Sequence, residues 1–371
     1  MIPVLEIGGT HVTAALVSPR TAAVATRVRR PLDAQARAGD ILGAVLRCAR
    51  RLPAAPAGAR WGVAVPGPFD YAKGVALFAD VGKFDALYGV DVRAALLDGL
   101  PGNPSDVAFR NDAHAFLAGE WTAGAARGHT RAVGITLGTG VGSAFLADGA
   151  LRTTGPGVPP EGRMDLTRTG GRPLEEVVSR RAILSRYGAA AGAAVDVREI
   201  AERARAGEER ARRVLDAAFG ALGAELGPRL AAFRATVLVV GGSMAESWDL
   251  VAPPLAAALA AGGWHPAVEG AVSPTDAVPP RGEHGGDVPG ASHPDSRPRA
   301  VSPARHAPSA GGPPLRGESD AARETSRTPS GSRPGDPPGP AGPQVARLLV
   351  RALLGEDAGL IGAAAAAGGA G

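Results

Sequence analysis

A single cysteine, Cys48, stands in a chain of 371 residues. No disulfide framework and no multi-cysteine zinc site can therefore form within it. Lysine is nearly absent as well: Lys73 and Lys83 are the only two among 40 cationic residues. With 53 glycines, 33 prolines and a formal net charge of only +4, this arginine excess reads as GC-rich coding bias rather than a selected basic surface, and no nucleic-acid partner is expected. No apolar run reaches the roughly 18 residues that a membrane helix requires. The first residues enter an apolar strand directly, without a basic region followed by an apolar leader, so a cytoplasmic protein with no membrane partner is expected. What is present is ordinary: 45% hydrophobic residues over a length that accommodates two domains with real cores.

Hydrophobic alternation predicts strands at Val4 to Ile7, His11 to Val17 and Val24 to Arg29, joined by short turns as an antiparallel meander. A helix is predicted from Asp40 to Arg51, and a buried strand from Trp61 to Val65 that stops at Pro66-Gly67-Pro68. A short strand, Val107 to Phe109, leads to a helix that Asn111 or Asp112 would cap and that runs to about Trp121. The segment "RAVGITLGTGVGSAFLADGALR" repeats the opening theme of strand, glycine-hydroxyl turn and strand, and predicts a duplicated domain. Helical periodicity covers Pro173 to Arg186, Asp196 to Ala206 and Glu208 to Phe233, and in "ATVLVVGGSMAES" a strand from Val237 to Val240 is expected to meet Gly241-Gly242-Ser243 at the head of a helix. From Pro266 to Pro343 the composition turns to Pro, Gly, Ser, Arg and His without periodicity, which predicts a disordered insertion; a strand (Leu348 to Arg351) and a helix from Asp357 follow it.

The turn in "VLEIGGTHVTAALVSP" has two open readings. A hairpin would serve with Asn-Gly or Asp-Gly and has no use for an acid one step earlier. A phosphate site would use all of it: Gly8 and Gly9 for close approach of backbone N–H groups, Thr10 for a hydroxyl, and Glu6 facing a phosphate-bound metal.

Five segments in order, "LEIGGTHVTAALV", "GVAVPGPFD", "NDAHAFLAGEW", "GITLGTGVGSAFLADGAL" and "VLVVGGSMAES", with the ending "LGEDAGLIGAAA", resemble the ROK family of bacterial sugar kinases and related repressors. The resemblance implies an α/β, two-domain actin-like ATPase fold of ribonuclease-H-like lobes with a cleft between them. The implied division is 1–111 with the helix 357–371 packing back, 112–265 plus 344–356, and the insertion 266–343 between. It implies ATP-dependent phosphorylation of a sugar or sugar-like hydroxyl, with ATP and magnesium as cofactors and a homodimer as one assembly seen among relatives.

Residue by residue, the resemblance makes Asp112 the general base and Asn111 a sugar contact. Gly8, Gly9 and Thr10 match one phosphate loop, Gly138, Thr139 and Gly140 the other, and Gly241, Gly242 and Ser243 an adenosine-side turn. Glu6 would face magnesium through water, and Glu120 would brace the helix. N-capping is the plainer role for Asp112, a packing or rim position that for His114.

Three departures matter. The opening acid is Glu6 where the family has Asp, and one methylene moves a carboxylate by about 1.5 Å, a displacement of the size that alters rates. In "PPEGRMDLTRTGGRPLEE", Arg163 takes the place of the family's zinc-binding His and no cysteine follows, so no zinc is expected. Glu161 matches the sugar-binding Glu only across a one-residue gap, Pro160 otherwise holding that place. In "ADVGKFD", Asp80 stands where an Asn contacts the sugar. Opposite charges at Asp80 and Arg163 point to an amine- or acid-bearing sugar, or an aminocyclitol, as substrate. A sensor that keeps the fold without turnover is the competing function. A repressor is disfavoured, since no helix-turn-helix precedes the first strand.

Overall fold

The computed structural model describes residues 1–53, 55–188, 195–268 and 347–369. The chain enters a hairpin of β1 (Ile2–Ile7) and β2 (His11–Ser18), then β3 (Ala23–Pro31), helix α1 (Ala38–Ala49) and β4 (Arg60–Val65). A small ribbon of β5 (Phe69–Asp70) and β6 (Val75–Ala76) follows, then α2 (Val92–Gly99) and β7 (Asp106–Asn111). The five long strands form one sheet in the order β3-β2-β1-β4-β7. The first three run antiparallel, while β4 and β7 join parallel, as strands returning through helices must. β4 reads "RWGVAV" because both of its faces are covered.

Helix α3 (Asp112–Ala123) leads to the second sheet: β8 (Arg131–Leu137), β9 (Val141–Ala147) and β10 (Ala150–Leu151). A ribbon of β11 (Arg168–Thr169) and β12 (Arg172–Pro173) precedes α4 (Glu175–Val178), α5 (Arg180–Tyr187), α6 (Val197–Arg205) and α7 (Glu209–Phe233). Then come β13 (Val237–Gly241), α8 (Trp248–Ala261), β14 (Ala267–Val268), β15 (Leu348–Arg351) and α9 (Asp357–Ala367). The order β10-β9-β8-β13-β15-β14 repeats the first sheet: a meander, then parallel strands beside its first member. The duplication expected from the repeated strand-turn-strand is therefore present, and each lobe has its own core.

Two helices connect the lobes, and their composition explains how closely they cross. In α9, Ala358, Gly359, Leu360, Ile361, Gly362, Ala363 and Ala364 are all buried, because the helix is hemmed between the first sheet and α3. A Cβ on Gly119 would overlap the Ala358 carbonyl oxygen, and one on Gly362 would overlap that of Ala115. Only glycine at these two positions lets the backbones meet at that distance.

Buried Glu120, at the end of α3, accepts hydrogen bonds from the N–H groups of Ala125 (2.7 Å), Leu354 (2.9 Å) and Leu353 (3.2 Å). It thus ties the exit of α3 to the segment that enters α9, the bracing role expected of it.

Three details differ from the sequence expectations. The helical stretch from Pro173 to Arg186 is broken at Ser179, whose extended backbone (ψ 159°) ends α4 and whose Oγ caps α5. A single turn of 3-10 helix, Ser243–Ser247, separates the Gly241-Gly242 turn from α8. The expected insertion overlaps β14, which pairs with β15; the rest of it, 269–343, lies outside the described residues.

Candidate active site

The junction of β7 and α3 places two polar side chains at the cleft. Asn111 caps the helix: its Oδ1 accepts from the N–H of Ala113 (3.0 Å) and His114 (3.2 Å), while its amide donates to the Tyr71 hydroxyl (3.0 Å). Asp112 is solvent-exposed on one side, and the mass of protein around its other sides raises its pKa by desolvation. The N–H of Ala113 and the charge of Lys83 work against that rise. With Asn111 taking up the first free N–H groups of the helix, the Asp112 carboxylate has one oxygen left for other work.

Beside Asp112 lies a cavity of about 220 Å³, whose lining includes Glu6, Gly8, Thr10, Arg29 and Glu356. Glu6, Thr13 and Arg29 are a cross-strand row on the α9 side of the first sheet. The longer Glu6 side chain is accommodated because its carboxylate rests over Gly359, where a Cβ would come within 2.5 Å of Oε1. Burial, and then the charges of Asp112 and Glu356, push the pKa of Glu6 up to about 7, with Arg29 opposing. Arg27 pairs with Asp357 (3.0 Å) and Arg29 with Glu356, fastening β3 to the start of α9.

A cation would relieve this crowding of acids, and carboxylate oxygens suit magnesium. Among the described residues no three Asp, Glu, His or Cys side chains form a metal cage.

The glycine turns surround the same cleft. The first is closed by the Gly8 N–H donating to the His11 carbonyl (2.9 Å), leaving Gly9 and Thr10 at its tip. In the second, the Gly138 N–H donates to the Gly140 carbonyl (3.1 Å) and Thr139 is exposed. The third adjoins the second: a Cβ on Gly138 would stand 4.0 Å from the Ser243 hydroxyl. Gly242 (φ 86°) presses against the Leu137 backbone at the end of β8, and the ring of Phe116 covers Gly241.

The remaining expected residues separate into two groups. Arg163 binds Asp165 through two hydrogen bonds (2.7 and 3.3 Å) and lies 3.8 Å from Glu161. Its turn is held by Ser143, whose Oγ donates to the Gly162 carbonyl (2.6 Å) and accepts from the Met164 N–H (2.9 Å). Arg163 reaches Tyr71 electrostatically and so belongs to the cleft, though with its charge matched by Asp165. Asp80 is exposed on a left-handed turn (φ 55°), and no hydrogen bond or ion pair joins it to the described residues. His114 is a packing residue under the Gly162 turn, kept neutral by a pKa pushed down to about 4, first by burial and then by Arg110.

Four residues of the site escaped the sequence reading. Tyr71 orients Asn111 from the ribbon after β4. Glu175 leans on the second glycine turn, where a Gly140 Cβ would come within 2.5 Å of its Oε1, and its pKa is raised by desolvation and then by Asp165. Asp165 neutralises Arg163. Lys83 lies over Gly9 and within electrostatic reach of both Asp112 and Glu175. A signal for Lys83 did exist: it is one of two lysines in a chain that otherwise uses arginine.

A family model described as the ROK family matches residues 3–262. The glucokinase of Thermotoga maritima is 29% identical over 218 residues, spanning 52% of this chain and 67% of that protein. Among solved structures, the ROK hexokinase from Thermus thermophilus superposes with a TM-score of 0.59 at 21% identity, covering 98% of this chain and 97% of that one. A ROK family glucokinase from Streptomyces griseus, in complex with glucose and AMPPNP, gives 0.60 at 20% identity, with 98% and 97% covered. A ROK family transcriptional regulator gives 0.56 at 17%, with 70% of each chain covered. These structural likenesses establish the two-domain actin-like fold.

Proposed function

The chain belongs to the ROK family, and we propose that it is a carbohydrate kinase transferring the γ-phosphoryl group of ATP to a hydroxyl of a sugar or sugar-like acceptor. The observation that carries this reading is the position of Asp112. It heads α3 at the cleft, has a neighbour that relieves it of capping duty, and faces the cavity lined by Glu6, Gly8 and Thr10. The name of the Thermotoga maritima relative, and the glucose and AMPPNP bound in the Streptomyces griseus enzyme, support the same reaction class.

In this mechanism Asp112 accepts the proton of the acceptor hydroxyl as its oxygen bonds to the γ-phosphorus. The bond from phosphorus to the β–γ bridging oxygen breaks, and its electron pair leaves with ADP. A sugar hydroxyl is a poor nucleophile at neutral pH, and Asp112 raises its reactivity only when the bound geometry brings the two within hydrogen-bond reach. Asn111, oriented by Tyr71, lies beside the acceptor, and the Arg163–Asp165 pair is within electrostatic reach of that tyrosine.

With the Gly8 and Gly138 N–H groups taken up inside their own turns, the Gly9 and Gly140 amides and the hydroxyls of Thr10 and Thr139 line the phosphate path, and the Gly241–Ser243 turn takes the adenosine side. Magnesium held at Glu6 would neutralise phosphate charge. With Asp80 in solvent and Arg163 paired to Asp165, the two opposite charges that pointed to an amine- or acid-bearing acceptor do not act together as free charges.

Isothermal titration and coupled ADP-release assays on the Asp112→Asn variant test the assignment. ATP binding is retained and acceptor-dependent turnover falls by a factor of about 10³ or more. Unchanged turnover would remove Asp112 from the mechanism.

A further inference from the structure

Lys83 has no role in the reading above, and its surroundings call for one. Its loop is preset: Asp80, Gly82 and Phe84 hold positive φ (55°, 74° and 61°), and the Asp85 carboxylate accepts from the N–H groups of Val81 (3.0 Å) and Gly82 (3.1 Å). Phe84 is fully buried, and its N–H donates to the Ala34 carbonyl (2.7 Å). The residues on either side of Lys83 are thereby fixed, and its aliphatic stem lies over Gly9, with Cδ 3.9 Å from where a Cβ would stand.

The ammonium, by contrast, has no ion pair or hydrogen bond to the described residues. Three other cations near the cleft are committed: Arg27 and Arg29 to Glu356 and Asp357, and Arg163 to Asp165. His11, at the end of the first glycine turn, shares a hydrogen bond with Thr10 (2.9 Å). Lys83 is half-buried over the first glycine loop and within electrostatic reach of Asp112 and Glu175, yet forms a salt bridge with neither.

Resting on the kinase reading, we propose that Lys83 is a catalytic cation that meets the γ-phosphoryl group of the bound nucleotide between the two glycine loops. Charge on the equatorial oxygens of the transferring group is stabilised by a point charge that the protein has positioned in advance. Lys83 transfers no proton. It remains an ammonium while Asp112 takes the acceptor's proton and the β–γ bridging oxygen leaves with its electron pair. A lysine suits this role because a compact ammonium on a flexible stem can follow the phosphorus from donor to acceptor, which a planar guanidinium fork does less well. In an arginine-rich chain, that gives lysine a reason to persist here.

The test compares Lys83→Met and Lys83→Arg with the unaltered chain. Calorimetry with magnesium AMPPNP and magnesium ADP reads the contact directly: Lys83→Met weakens AMPPNP by about tenfold and ADP by less than about twofold, a difference the size of one charge-assisted hydrogen bond. In turnover, Lys83→Met lowers kcat by about 10² while the KM of the acceptor stays within about threefold, and Lys83→Arg recovers part of kcat.

Equal loss for both nucleotides, or no loss, would overturn the proposal. So would a rise in acceptor KM with kcat retained, which would make Lys83 an acceptor contact. An unaltered chain that distinguishes AMPPNP from ADP through Lys83, yet turns over no acceptor, would uphold the lysine and refute the kinase reading instead.

Discussion

Replacing Glu6 with Gln should stabilise the protein while disabling it, and pH separates this from ordinary repacking. Glu6 carries its carboxyl from an ordinary value of 4.5 to about 7 in the folded chain, through burial and then the charges of Asp112 and Glu356. Because the folded pKa of this acid is raised, the folded state holds the proton more tightly than the unfolded one. The cost of ionising Glu6 is absent well below 4.5, grows as pH rises, and is complete above about 7. At about 1.36 kcal/mol per pH unit, the full cost is on the order of 3 kcal/mol at pH 8 and a few tenths at pH 4.5.

Gln keeps the shape of the side chain and does not titrate. Urea unfolding of metal- and nucleotide-free protein, followed by the fluorescence of buried Trp61 and Trp264, should therefore show Glu6→Gln more stable at pH 8 by about 3 kcal/mol and nearly equal to the parent at pH 4.5. Magnesium-dependent turnover should be lost in the same variant. Equal stability differences at the two pH values would refute the crowded-acid account of this cavity.

Other consequences follow from the two helices that connect the lobes and from the brace between them. Gly362→Val drives a side chain into the Ala115 carbonyl of α3 and should lower stability by at least about 3 kcal/mol, read by denaturant midpoint at constant slope. Glu120→Gln turns an amide N–H₂ toward backbone donors of Ala125, Leu353 or Leu354; a loss of about 2–3 kcal/mol in urea unfolding is expected. His114→Phe, which keeps the packing under the Gly162 turn, should leave the pH profile of kcat unchanged between pH 6 and 8, because His114 is already neutral there with its pKa near 4.

Most of the fold was legible because the strands alternate cleanly and the turns use glycine where the backbone must bend. Strand-turn-strand at Glu6 and again at Gly138 announced the duplication, and the second sheet repeats the five-strand order of the first with β14 added at its edge. The Ser179 break was invisible to periodicity, since apolar residues at helical spacing continue across it while its extended ψ interrupts the helix.

At the site, residues adjoining a motif were found and those arriving from elsewhere in the chain were not. Asn111-Asp112 announced itself as a strand-to-helix junction. Tyr71 and Glu175 reach the cleft from a ribbon and a helix start whose placement depends on the packed sheets. The loop after β6 shows the same limit: charge at Asp80 was legible, but the left-handed turns that send Lys83 inward and leave Asp80 in solvent arise from the anchoring of Phe84 and Asp85.

The most direct test of the account is coupled ADP release with magnesium ATP across neutral sugars, N-acylated sugars, amino sugars and aminocyclitols, run beside Asp112→Asn. The account predicts release that requires one class of acceptor and disappears in the variant. Folded protein that binds ATP yet releases no ADP with any acceptor would contradict it, and would leave a ligand-binding sensor as the function of this cleft.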